Sequence, residues 1–214
     1  MTRYTLGAVV VLVLAGTPGL AQAPGARDVK LVGDRFRPLS YEEMTTEQRT
    51  MIEHVLGGER ASTGGPFNVL LRSPKMGDAA QQLGAEIRFH SSLSPRLGEM
   101  AILIVARHWT AQYEWYAHKR LALDAGVQPS IIEAIAARKR PPQLDADQQA
   151  VYDFERELLE THEVADLPFR AAVSAIGERG VVDLIGLMGY YHFVSMVLNV
   201  DRYPLPQGVV AELR

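Results

Sequence analysis

The chain predicts an all-α fold, a single-domain helical bundle, on three observations. Apolar residues recur at the spacing of one helix face in segment after segment, as in Met51, Ile52, Val55 and Leu56. Helix-start devices, a Ser, Thr, Asp or Gln followed by Pro or by Gln three positions on, precede several of those segments. No useful length alternates apolar and polar residues with the period of two that a half-buried strand requires.

In chain order, Arg3 precedes an apolar stretch from Leu6 to Leu14 that ends in Gly16, Pro18 and Ala21-Gln22-Ala23. That is the layout of a secretory leader over 1–23, cleaved after Ala21 or Ala23, and its apolar run is too short to span a bilayer comfortably. The expected product is exported, periplasmic or secreted, and free of the membrane after cleavage. Residues 24–44, rich in Pro, Gly and charge, read as an extended arm or linker. The helical domain occupies 45–214.

Within that domain, Thr45 or Thr46 ahead of Glu47 and Gln48 starts a helix over 46–57 that Gly57-Gly58 stops. Gly64 to Leu71 is an apolar loop. Ser73-Pro74 and Ser94-Pro95 each pair an N-cap with a proline at N1, opening helices that run to about Phe89 and through Met100 to Val105. Thr110 caps the next helix, which ends at Gly126. Gln128-Pro129 opens a short helix that Arg138-Lys139-Arg140-Pro141-Pro142 breaks. Asp145 with Gln148 forms a capping box for a long amphipathic helix, Pro168 begins another, and Gly180 leads into a nearly all-apolar helix over 181–200, expected in a core or subunit interface.

The 214 residues are 47% apolar and 22% charged with a formal charge of −3, a balance that supports one buried core and offers no basic footprint for nucleic acid. There is no cysteine, which excludes thiol chemistry, thiolate metal sites and disulfides.

The chemistry concentrates between Ser94 and Gly126. Glu114 and His118 stand four apart, so on a helix they share a face, and a carboxylate beside an imidazole is either a proton-transfer unit or a surface ion pair. Glu99 lies nineteen residues before His118, roughly 28 Å away along one straight helix. A break near His108 to Thr110 lets the chain fold back and gather Glu99, Glu114 and His118 around one pocket, with Ala111 on the same face. A metal held by Glu114, His118 and a further histidine or Glu99 is a competing use of these groups. Their spacing departs from the Glu-x-x-His pairs of di-iron bundles, and no metal or other cofactor is assigned.

The stretch from Gly64 to Ala137 resembles the carboxymuconolactone decarboxylase family, whose wider fold includes the alkylhydroperoxidase D-like proteins. The resemblance rests on Ser73-Pro74, on Arg96-Leu97-Gly98-Glu99-Met100-Ala101-Ile102-Leu103, on Ala106-Arg107, on Tyr113-Glu114-Trp115 with His118, and on Ala125-Gly126. It implies the alkylhydroperoxidase D-like bundle. In the peroxidase branch a Cys-x-x-Cys motif stands between the matching glutamate and histidine; here Ala111 and Glu114 occupy the cysteine positions, so disulfide-based peroxide reduction is ruled out.

The decarboxylase branch implies a cofactor-independent carbon–carbon lyase acting on a small carboxylated lactone or keto acid, in which loss of carbon dioxide leaves an enolate to be stabilised and protonated. His118 is then the proton donor or acceptor and Glu99 or Glu114 orients it. Arg107 either holds a substrate carboxylate bidentately or forms a structural ion pair. His108 lines the pocket, or caps the break or is exposed, and Tyr113 shapes the pocket or joins the core. The resemblance also implies a homo-oligomer, trimer or hexamer. The alternative expectation is a non-catalytic oligomeric ligand-binding protein on the same fold.

Overall fold

The computed structural model describes residues 29–60 and 62–214, so the expected leader over 1–23 and the first residues of the arm lie outside the described residues. Among the described residues the structure is all-helical, with no strand: α1 (Thr46–Gly57), α2 (Phe67–Leu70), α3 (Pro74–Ala85), α4 (Pro95–Trp109), α5 (Gln112–Asp124), α6 (Pro129–Ala136), α7 (Ala146–Thr161) and α8 (Asp166–Asp201).

The local signals act as their chemistry dictates. Thr45 and Asp145 each accept the N–H of the residue three on, Gln48 and Gln148, whose side chains return to the cap backbone. Ser94 accepts the Leu97 N–H, and Pro95 takes the first helical position, where a missing N–H costs nothing. α3 continues into a π turn over Glu86–His90, an i→i+5 distortion of the kind that often marks functional sites.

Three boundaries differ from expectation. The apolar Gly64–Leu71 segment contains the short helix α2. Thr110 does not cap α5; it ends α4 in the left-handed region at φ 50°, and Ala111 stands at the α5 start. The last two expected helices are merged in α8 across a kink at Gly177, where φ of +72° and ψ of 168° suit glycine, not at Gly180.

α4 is the axis of the molecule. Nine of its residues are buried, from Leu97 and then without interruption from Met100 to Arg107, and α5, α6, α7 and α8 pack around it. A second apolar cluster, centred on Met51, Ile52, Phe67, Leu70 and Leu71, joins α1 and α2. Val29, Leu31, Leu39 and Tyr41 of the arm pack on that cluster, and the Asp34 and Phe36 N–H groups donate to Asp201 Oδ1 at the end of α8. The described part of the arm is therefore docked on its own chain. α8 is long and apolar enough to cross a membrane by composition, yet 56% of its most apolar window is buried inside the protein.

Candidate active site

Two neighbouring helices and the turn between them build the site. Thr110 reverses the chain with Ala111 N–H donating back to the Ala106 carbonyl at 2.9 Å, a Schellman-type closure that lets α5 lie along α4. Glu99, in the second turn of α4, is thereby brought against His118, in the second turn of α5. The His118 Nδ1 lies 2.7 Å from Glu99 Oε2, and its Nε2 lies 3.1 Å from Glu114 Oε1, one turn earlier on α5. The three expected side chains meet, Glu99 hydrogen-bonded to His118 and Glu114 in ion-pair contact with it, but they do not surround one pocket as expected, since Glu99 faces a second cavity.

The unit is also dry. His118 is 4% and Glu114 5% exposed, and the Tyr191 ring stands edge-on to the imidazole with centroids 5.0 Å apart. Burial presses the imidazolium down, but the charges and hydrogen bonds of Glu114 and Glu99 outweigh it and hold His118 up at about 9. His118 is therefore charged at neutral pH.

The unit separates two cavities. The first, about 190 Å³, is lined by Glu114 and His118 together with Tyr113, Arg60, Arg88 and Tyr190. The second, about 250 Å³, is lined by Glu99 and by largely apolar neighbours such as Ile102 and Leu187. Arg88 and Tyr191 border both. Tyr113 takes the expected place in the cavity wall, and burial pushes its phenol up, keeping it a protonated donor.

Two expected residues lie elsewhere. Arg107 is 6% exposed at the end of α4 and borders a different depression, with His108 and Arg138. Its guanidinium donates to Thr110 Oγ1 at 3.1 Å and to the Arg214 carbonyl at 2.5 Å, so its hydrogen bonds hold the α4 corner and the chain's end and not a ligand beside His118. Of the two expected roles, the placement accords with the structural one and not with a clamp beside His118. His108 is exposed, with its ring 5.4 Å from that of His192, also away from the imidazole of His118. His192 accepts the Trp109 indole N–H on Nδ1 at 2.7 Å. Among the described residues no group of three or more His, Asp or Glu side chains is disposed to hold a metal ion.

Arg60 and Arg88 are the cavity residues that sequence reasoning missed. Arg60 comes from the segment after α1, and Arg88 from the π turn that ends α3. Neither has a motif around it. The fold alone shows their meeting place beside Gly84, where a Cβ would fall 2.2 Å from Tyr190 Oη and 2.9 Å from an Arg60 terminal nitrogen. No protein-family model matches this chain, and no curated protein matches it either.

Proposed function

We propose that the chain is a cofactor-independent proton-transfer enzyme of the carboxymuconolactone decarboxylase type, on an alkylhydroperoxidase D-like bundle, acting on a small carboxylated lactone or keto acid. The observation that carries this reading is a buried imidazolium bracketed by two carboxylates in the wall of a polar cavity. An extended surface ion pair would not need that burial, and a purely structural pair would not need a second carboxylate on the far ring nitrogen.

On this reading the contacts support a finer division of roles than spacing does. Both ring nitrogens of His118 already face the protein's own carboxylates, so Glu114 is the group best placed to meet substrate. When the scissile C–C bond breaks, its electron pair becomes the enolate and carbon dioxide leaves. The His118 imidazolium passes its Nε2 proton to the Glu114 carboxylate, which delivers it to the enolate carbon; His118 is left neutral, its Nδ1–H still held by Glu99, and regains a proton from solvent before the next turnover. Fixed charges waiting in a low-dielectric site need no reorganisation as the enolate forms.

The test is to incubate the full chain with carboxylated lactones and 2-keto acids in D₂O, following carbon dioxide release and deuterium at carbon. His118→Ala and Glu114→Gln should each lower turnover about 100-fold or more. Full turnover by His118→Ala would end the reading. The same saturation of the ring favours one second reading, a non-catalytic ligand-binding protein, which predicts binding without conversion. A homo-oligomer, trimer or hexamer, is part of the proposal. It is supported by exposed Val182, Ile185, Met196 and Val200 along one side of α8, and sedimentation at micromolar concentration checks it.

A further inference from the structure

The first cavity contains an excess of unanswered donors. The Nε and one terminal nitrogen of Arg60, and the hydroxyl of Tyr190, are buried and have no hydrogen-bond partner among the described residues. Tyr190 is 4% exposed. The Arg60 nitrogen and the Tyr190 oxygen border a common point, the place a Gly84 Cβ would take. The Arg60 guanidinium lies over the Phe67 ring at 5.4 Å, and Arg88 reaches the same cavity from the π turn. Neither arginine forms an ion pair among the described residues. The carboxylate that shares the cavity, Glu114, is taken by His118.

Buried donors without acceptors are costly, and native proteins rarely keep them unless something else supplies the acceptor. A planar guanidinium presents a fork that matches two carboxylate oxygens, and a second cation with a phenol O–H completes an oxyanion cradle. Burial keeps the Tyr190 phenol protonated, opposed only in part by the two arginines. We infer that Arg60, Arg88 and Tyr190 form a carboxylate-binding subsite in the cavity walled by Glu114 and His118. The inference rests on the proton-transfer reading for what happens next to the bound anion, since the subsite holds the carboxylate that keeps the reacting carbon beside Glu114. It replaces Arg107 as the substrate clamp.

Calorimetry on the full chain tests it with benzoate and succinate, their neutral amides benzamide and succinamide, and inorganic phosphate. The carboxylates should bind, with each amide weaker by about tenfold or more, the worth of a charge-assisted hydrogen bond. Arg60→Gln and Arg88→Gln should each weaken carboxylate binding by about tenfold or more, and Tyr190→Phe by a few-fold. Arg88 is half-buried at a helix end, so Arg88→Gln reports on binding without disturbing the core, and an unchanged melting temperature confirms this. The double variant His118→Gln, Glu114→Gln, which removes the imidazolium together with the carboxylate it takes, should keep carboxylate binding while losing turnover. If the wild type binds benzoate through both arginines yet converts no carboxylated substrate, the subsite stands and the enzymatic reading falls. Equal binding of acids and amides, unchanged binding in both arginine variants, no carboxylate binding by the wild type, or tighter binding of phosphate than of either acid would overturn the subsite.

Discussion

The Nδ1 of His118 stands 2.7 Å from the Glu99 carboxylate across a two-residue corner of the chain, while its Nε2 faces Glu114 at 3.1 Å. A neutral imidazole has one N–H and one lone pair, so it can satisfy only one of two carboxylate acceptors; the imidazolium donates to both. Removing one carboxylate should therefore release the proton. In Glu99→Gln or Glu114→Gln, histidine NMR titration should place His118 clearly below about 9. Turnover on any substrate found should fall about 100-fold or more in Glu114→Gln. A His118 titration identical to wild type in both variants would break the proposed coupling.

That coupling has a stability signature. The folded value of about 9 lies above the ordinary 6.5, so the stabilising contribution is complete below pH 6.5 and disappears as pH rises through 9. The shift corresponds to roughly 3 kcal/mol at full protonation. Urea denaturation at pH 6.5 and pH 9.5 should show the wild type losing stability over that interval, and His118→Gln should flatten the dependence. A wild type equally stable at both ends would contradict a charged His118 in the fold.

Glu155 gives a dependence of the same sign from a different cause, burial without a partner in place of paired charge. It is fully buried in α7, neither carboxylate oxygen has a partner among the described residues, and burial raises its pKa well above 4.5, with Arg156 pulling the other way. Burial in the folded protein favours the neutral carboxyl, while the unfolded chain ionises it above about pH 4.3. Folding must then take up a proton, so this group costs nothing in acid and progressively more stability as pH rises toward its folded value. Glu155→Met should be more stable than wild type at pH 8 by about 1–3 kcal/mol, with the advantage shrinking at pH 5. A variant less stable than wild type at pH 8 would show that Glu155 has an unrecognised partner.

What the chain disclosed in advance divides by the range of the interaction. The Thr45–Gln48 and Asp145–Gln148 boxes and the Ser94-Pro95 start are signals within four residues, and each acts as its chemistry demands. Glu99 with His118 was legible because one short turn joins their helices, which makes a contact over nineteen residues nearly local. Arg60, Arg88 and Tyr190 converge from the segment after α1, the end of α3 and the middle of α8, and no periodicity encodes that. Thr110 misled for a similar reason: threonine favours an N-cap, but here its left-handed turn is held from outside, its hydroxyl accepting from Arg107 at 3.1 Å and from Arg138 at 3.3 Å.

Arg107 makes the difference between a ligand clamp and a structural clamp measurable. Its guanidinium joins the Thr110 corner to the Arg214 carbonyl, next to which Leu213 is buried and paired through its backbone with the Gln112 amide. Glu212 completes the dock, accepting from Lys119 at 2.6 Å and from the Trp115 indole at 3.2 Å. Arg107→Met keeps most of the volume while deleting two charge-assisted hydrogen bonds, and it also removes a buried cation whose Nε has no partner. These effects oppose each other, so the expected cost is about 1–3 kcal/mol and not the sum of the lost bonds. Backbone amide exchange should accelerate at Leu213, and at Thr110 and Ala111 where the corner loosens. The His118 titration and carboxylate affinity should match wild type, because the guanidinium borders a different depression from the His118 cavity. A folded Arg107→Met variant that lost tenfold in carboxylate affinity, with exchange at 213 unchanged, would return Arg107 to the substrate.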